Sequence, residues 1–137
     1  MKLSLGVFAV PEWNGVPLPD VANILEGKYG LFSEFAKDQH DVITKAMHDS
    51  VSSAVTNLLA GAPPGMDPFA QGCSEIDAAF QRFLDTSRIE KLGVAGVPTG
   101  AALKGVNHRK KKNRGARRPS FIDTGILRTN FVSWVDP

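Results

Sequence analysis

Residues 31–60 read LFSEFAKDQHDVITKAMHDSVSSAVTNLLA. Phe35, Val42, Ile43, Met47, Val51, Val55, Leu58 and Leu59 recur there at spacings of three, four and seven, and Lys37, Asp38, Asp41, Lys45 and Asp49 fill the other faces. That is the pattern of an amphipathic helix, with one apolar stripe for a core and charge for water. Gly61 ends it, and Pro63-Pro64-Gly65 forbids continuation. Thirty residues at the helical rise reach roughly 45 Å, long for one small domain. The stretch therefore implies either a break near Gln39-His40 or packing against another chain.

Working outward, Asp67 or Pro68 opens a second long helix whose apolar stripe is Phe69, Cys73, Ile76, Phe80, Phe83 and Leu84. Gly72 weakens it by about 1 kcal/mol relative to Ala, so its first turn is expected to fray. Pro98-Thr99 can cap a short helix through Leu103. Upstream, Pro19-Asp20 starts a short helix to about Gly27, with Val21, Ile24 and Leu25 on its apolar side. Residues 3–10 alternate as a strand ended by Pro11, and Asn130–Val135 can pair with it. The fold class is α+β, mainly α: a small helical body of two long helices, short terminal strands and an extended basic arm. Residues 1–103 form the acidic body, 104–120 the arm and 121–137 a C-terminal anchor, one domain overall.

A chain of 137 residues, 42% apolar and 22% charged, lies in the ordinary globular range. No run approaches the roughly 18 apolar residues of a membrane span, and the N-terminus lacks the apolar core and cleavage site of a signal peptide. Cys73 is the sole cysteine, so no internal disulfide forms. The net charge of +2 conceals a polarity. Residues 1–103 hold seven Lys or Arg against twelve Asp or Glu, and residues 104–137 hold nine against two. No acid lies between Glu90 and Asp123. Such a division favours a basic surface meeting an acidic partner, nucleic acid or another copy of the protein.

Catalysis is the least supported class. His40 and His48 stand eight apart in one helix, too far for a zinc pair on adjacent turns, and His108 stands alone. Cys73 sits on an apolar stripe, where a free thiol packs as a small hydrophobe. There is no phosphate loop, nucleophile elbow or zinc-protease motif. The expectation is no catalytic residue, no metal, no cofactor, no small-molecule substrate and no membrane partner.

The basic run Arg109, Lys110, Lys111, Lys112, Arg114, Arg117 and Arg118 has three uses that the residues alone do not separate. It can neutralise phosphates and release counterions, order against an acidic protein surface, or remain a solvated loop. It lacks interleaved aromatics for stacking on single-stranded bases. After it, Asp123 or Thr124 can cap a helix that begins past Gly125, with Arg128 projecting as a fixed cation. An ordinary cap in an ordinary turn reads the same.

Residues 118–135, from Arg118-Pro119-Ser120-Phe121-Ile122-Asp123-Thr124-Gly125-Ile126-Leu127-Arg128 to Trp134-Val135, resemble the Asp-Thr-Gly-x-Leu-Arg-x-Ser segment of small tailed-phage virion proteins, tail-completion and neck proteins among them. Two further blocks, residues 20–30 before the long helix and 96–109 before the basic run, resemble a group of phage structural proteins of similar length. In tail-completion proteins several strands follow the motif, whereas here the sequence ends at Pro137. The resemblance therefore implies a virion part, in tail, baseplate or neck, and not a whole tail-completion fold. It implies made-in-host, virion-borne protein whose partners are tube, sheath, hub or neck proteins and further copies of itself in a ring. Phe121, Ile122, Phe131 and Trp134 would anchor that contact, with Arg109 to Arg118 and Arg128 supplying charge; nucleic acid is the alternative partner.

Overall fold

The computed structural model describes residues 1–11, 15–63, 65–106, 115–123 and 125–137. Strand β1 is Lys2–Val7 and helix α1 Leu18–Tyr29. Then come α2, Leu31–Asp38, and α3, His40–Leu59. The second long helix, α4, is Ala70–Asp85, followed by a 3-10 turn at Arg88–Lys91. Short helices α5, Gly100–Lys104, and α6, Ile126–Thr129, precede strand β2, Phe131–Asp136. The fold is mainly helical α+β, as the patterns predict, with β1 and β2 in one antiparallel two-stranded sheet. Leu3 pairs with Val135 and Val7 with Phe131.

The 31–60 stretch is two helices. Gln39, at φ −103° and ψ 18°, leaves helical geometry between them, which is the first of the two readings that the length of the stretch left open. Gly30, at φ 62°, ends α1 and starts α2, a left-handed turn that a side chain would strain. The Glu26 carboxylate accepts the Phe32 N–H at 2.7 Å, satisfying one free donor of the new helix.

An aromatic cluster holds the core. Phe80 stacks on Phe131 with centroids 3.9 Å apart, and Phe35 meets Phe80 edge-on at 5.1 Å. Leu18, Leu31, Ile76, Leu84 and Ile89 are fully buried around them. Leu3, Leu5 and Val7 of β1 pack against this core from one side. On α4 the expected stripe holds for Ile76, Phe80, Phe83 and Leu84, while Cys73 is half-buried.

Three expectations are corrected. On α1 the buried row is Leu18 and Ala22, and Ile24, half a turn away from Ala22, faces water. On α3 the buried residues are Ala46 and Ser50, with Ile43 and Met47 beside them, while Val42, Val51, Val55, Leu58 and Leu59 are exposed. The reason is a close helix crossing. α4 approaches α3 at Gly72, where an added Cβ would lie 2.9 Å from the Ala46 carbonyl oxygen and 2.9 Å from the Met47 methyl. Ser50 Oγ locks the crossing by donating to Pro68 O at 2.8 Å and accepting from the Gly72 N–H at 3.1 Å. Gly72 is thus a packing residue and not a source of fraying. Small residues won the contact face, which turned the valine row outward.

Candidate interaction surface

The C-terminal third is fastened to the body by carboxylates. Glu90 is the central one. Its Oε1 accepts the Ser120 N–H at 3.1 Å and the Ser120 hydroxyl at 2.8 Å, and its Oε2 accepts Arg117 Nη2 at 2.7 Å. Ser120 Oγ in turn accepts the Thr99 N–H at 3.2 Å. Burial pushes the Glu90 carboxyl up, but the Ser120 and Arg117 hydrogen bonds together hold it below its ordinary value. Thr99 also caps α5, its hydroxyl accepting the Ala102 N–H at 3.2 Å, as the sequence predicts.

Further along, Arg128 donates to both oxygens of Asp85, at 2.5 and 2.6 Å. That fork holds the Asp85 carboxyl below its usual range. Ser133 donates its N–H to Asp77 Oδ1 at 2.8 Å and its hydroxyl at 2.7 Å. Burial nevertheless dominates at Asp77 and pushes its carboxyl up. The same surroundings push the Cys73 thiol up, chiefly by burial, so it is a poor thiolate. Asp136 accepts the Ser4 hydroxyl at 2.6 Å and the Trp134 indole N–H at 2.9 Å, tying the two strands together beyond their ladder.

The residues nominated from sequence are therefore divided. Arg117 and Arg128 pair with body carboxylates of their own chain. Arg118 donates to Ile122 O at 2.7 Å and Val106 O at 3.2 Å, and lies 3.4 Å from Asp123. Phe131 is consumed by the core. Phe121, at φ 67°, lies edge-on to Tyr29 at 5.1 Å and, with Leu25, Ile126 and Leu127, lines a cavity of about 270 Å³. Ile122 is half-buried beside the core. Trp134 alone of the four anchors has a large outward area, at 41% exposure, with its ring over Gly6.

The N-cap position of α6, expected at Asp123 or Thr124, is occupied by Gly125 with φ 81°. Thr124 lies outside the described residues, as do Arg109, Lys110, Lys111, Lys112 and Arg114. The described ends of that run lie together, since the Gly115 N–H donates to Lys104 O at 3.0 Å and the Arg118 N–H to Ala102 O at 3.1 Å. The two ends of residues 105–115 thus start from one place.

Sequence reasoning missed the Glu90–Ser120 clasp and the outward row on α3. One signal for the clasp was in view: Glu90 is the last acid before a long acid-free stretch. Among the described residues no group of three or more His, Cys, Asp or Glu is placed to hold a metal ion, and no helix is long and apolar enough to cross a membrane. No family model matches the chain, and no curated protein or solved structure matches it either.

Proposed function

We propose that this chain is a non-enzymatic structural component of a tailed-phage virion, in the tail or baseplate, that joins neighbouring subunits. The observation that carries the proposal is the order of three sequence blocks, residues 20–30, 96–109 and 118–135, resembling phage structural proteins. The geometry supports a contact role in a specific way. With Arg117, Arg118 and Arg128 engaged inside the chain, Trp134 is the one of these nominated residues, among those described, left with a large outward area. An exposed aromatic side chain and a strongly basic sequence run are each suited to interfaces: the ring supplies affinity, the charge steers the approach.

Two measurements test it. Quantitative peptide mass spectrometry on purified particles should find a fixed copy number relative to the tube protein; absence from the particles refutes the virion assignment. Trp134→Ala should abolish incorporation while helical circular dichroism is unchanged, and normal particle yield from that variant removes Trp134 as an anchor. A nucleic-acid reading is favoured by one observation, the five Lys or Arg at 109–112 and 114 that follow an acid-free stretch. It requires binding that falls steeply with salt and disappears when those five are neutralised.

A further inference from the structure

We propose that the free edge of β1 takes an extended segment of another polypeptide as a third strand, seated in the cleft between β1 and α1. The inference goes beyond the virion reading and stands without it, since it follows from where backbone groups point. Val7 pairs with Phe131, and the Phe8 N–H donates to Asn130 O at 2.9 Å. That bond fixes the phase of the antiparallel ladder: the N–H and C=O of Leu3, Leu5 and Val7 point away from β2, and those of Phe131, Ser133 and Val135 point away from β1. Ser133 bears this out, because its N–H is taken by Asp77 of α4 at 2.8 Å. No such cover reaches β1. The sheet has two strands, and among the described residues the outward N–H and C=O groups of Leu3, Leu5 and Val7 meet no hydrogen-bonding partner.

The space beside that edge is open. Leu5, Gly6 and Val7 line a cleft of about 400 Å³ together with Ala22, Asn23 and Glu26 of α1. Trp134, rooted on β2, reaches the cleft across Gly6, where an added Cβ would lie 3.0 Å from its ring. The edge from Leu3 to Val7 runs about 13 Å, the length of about five extended residues. Hydrogen bonding selects the occupant: a row of alternating backbone donors and acceptors is matched by the edge of another extended chain. Charge argues against nucleic acid, because no Lys, Arg or His lines the cleft and Glu26 does. A second copy's β1 would bring its own α1 into the same space, whereas a lone segment brings nothing with it.

The probe is a synthetic peptide of about seven alternating valine and threonine residues with a lysine at each end, added to the isotope-labelled full chain. An NMR titration to about 1 mM covers the affinity of a single added strand. The Leu5 and Val7 amides should shift, and their hydrogen exchange should slow about tenfold or more. The same peptide N-methylated at every residue has no N–H to donate and should change neither. Asn23→Trp, at an exposed position that lines the cleft, should weaken binding about tenfold or more with helical circular dichroism unchanged. Ile24→Trp, equally exposed but outside the cleft, should not. If Asn23→Trp fails to fold, the N-methylated peptide decides. Unmoved Leu5 and Val7 amides overturn the proposal, as does equal binding of the N-methylated peptide or an equal response to the two tryptophan variants. Protection of those amides that rises with chain concentration alone, without peptide, overturns it in favour of a second copy.

Discussion

Replacing Glu90 by alanine tests the clasp that seats the C-terminal third. Ser120 is 1% exposed, so its N–H and hydroxyl lose their shared acceptor in a place water does not reach. Leaving such groups unsatisfied costs about 1–3 kcal/mol. The Arg117 side chain is 60% exposed, which limits the ion-pair share to about 0–1 kcal/mol. The sum is roughly 1–4 kcal/mol, or a midpoint shift of roughly 3–15 °C for a chain of this size. Urea and thermal unfolding followed by far-ultraviolet circular dichroism reads both. Glu90→Gln keeps a carbonyl oxygen for Ser120 and is expected to lose only about 1 kcal/mol. Arg117→Ala should lose least. If Glu90→Ala and Arg117→Ala cost the same, the Ser120 bonds contribute nothing and the reasoning fails.

Stability should also fall in acid. The carboxyls of Asp38, Asp85 and Glu90 are held below their ordinary values, so their contribution is complete above the unfolded carboxylate range near pH 4 and is lost as pH drops through the lower folded values. Asp77 has the opposite sign: its raised carboxyl binds a proton more readily in the folded state, so mild acid relieves its burial. Asp77→Asn keeps an acceptor for Ser133 and should raise stability at pH 7 by up to about 1 kcal/mol, a gain that shrinks towards pH 5 in urea titrations. Gly72→Ala should destabilise by about 1–3 kcal/mol despite its better helix propensity, because the new methyl meets backbone at Ala46; equal or greater urea resistance would refute the close crossing.

The fold was legible wherever periodicity and burial coincide. Phe80, Phe83 and Leu84 share one face of α4 and all three are buried. Length left a break near Gln39 as one of two readings, and alternation made the terminal strands candidates for pairing. Periodicity failed on α3 because it reports which residues are apolar, not which face a neighbour can approach. Ala46, Ser50 and Gly72 are silent in an apolar pattern, yet they permit the closest approach and so decide the contact face. The C-terminal clasp was illegible for another reason. Glu90 and Ser120 are thirty residues apart, and a polar bond across that span leaves no periodic trace. Charge counting failed in part for the same cause: it treated Arg117 and Arg128 as available, when each already had a carboxylate of its own chain.

The pairing of β1 with β2 joins residues about 130 positions apart, and this sets an order of events during synthesis. β1 leaves the ribosome before β2 and waits for this ladder partner until residues 131–136 follow. Phe131 arrives at the same late moment, so until then Phe80 lacks the ring that stacks on it. A growing chain therefore carries an open aromatic slot and an unpaired strand until residues 131–136 have been made. Such surfaces are where partly made proteins adhere to one another, and closing so long a loop is entropically slow. Production at reduced temperature and synthesis rate, or with a chaperone that shields apolar surface, should favour soluble chain over aggregate.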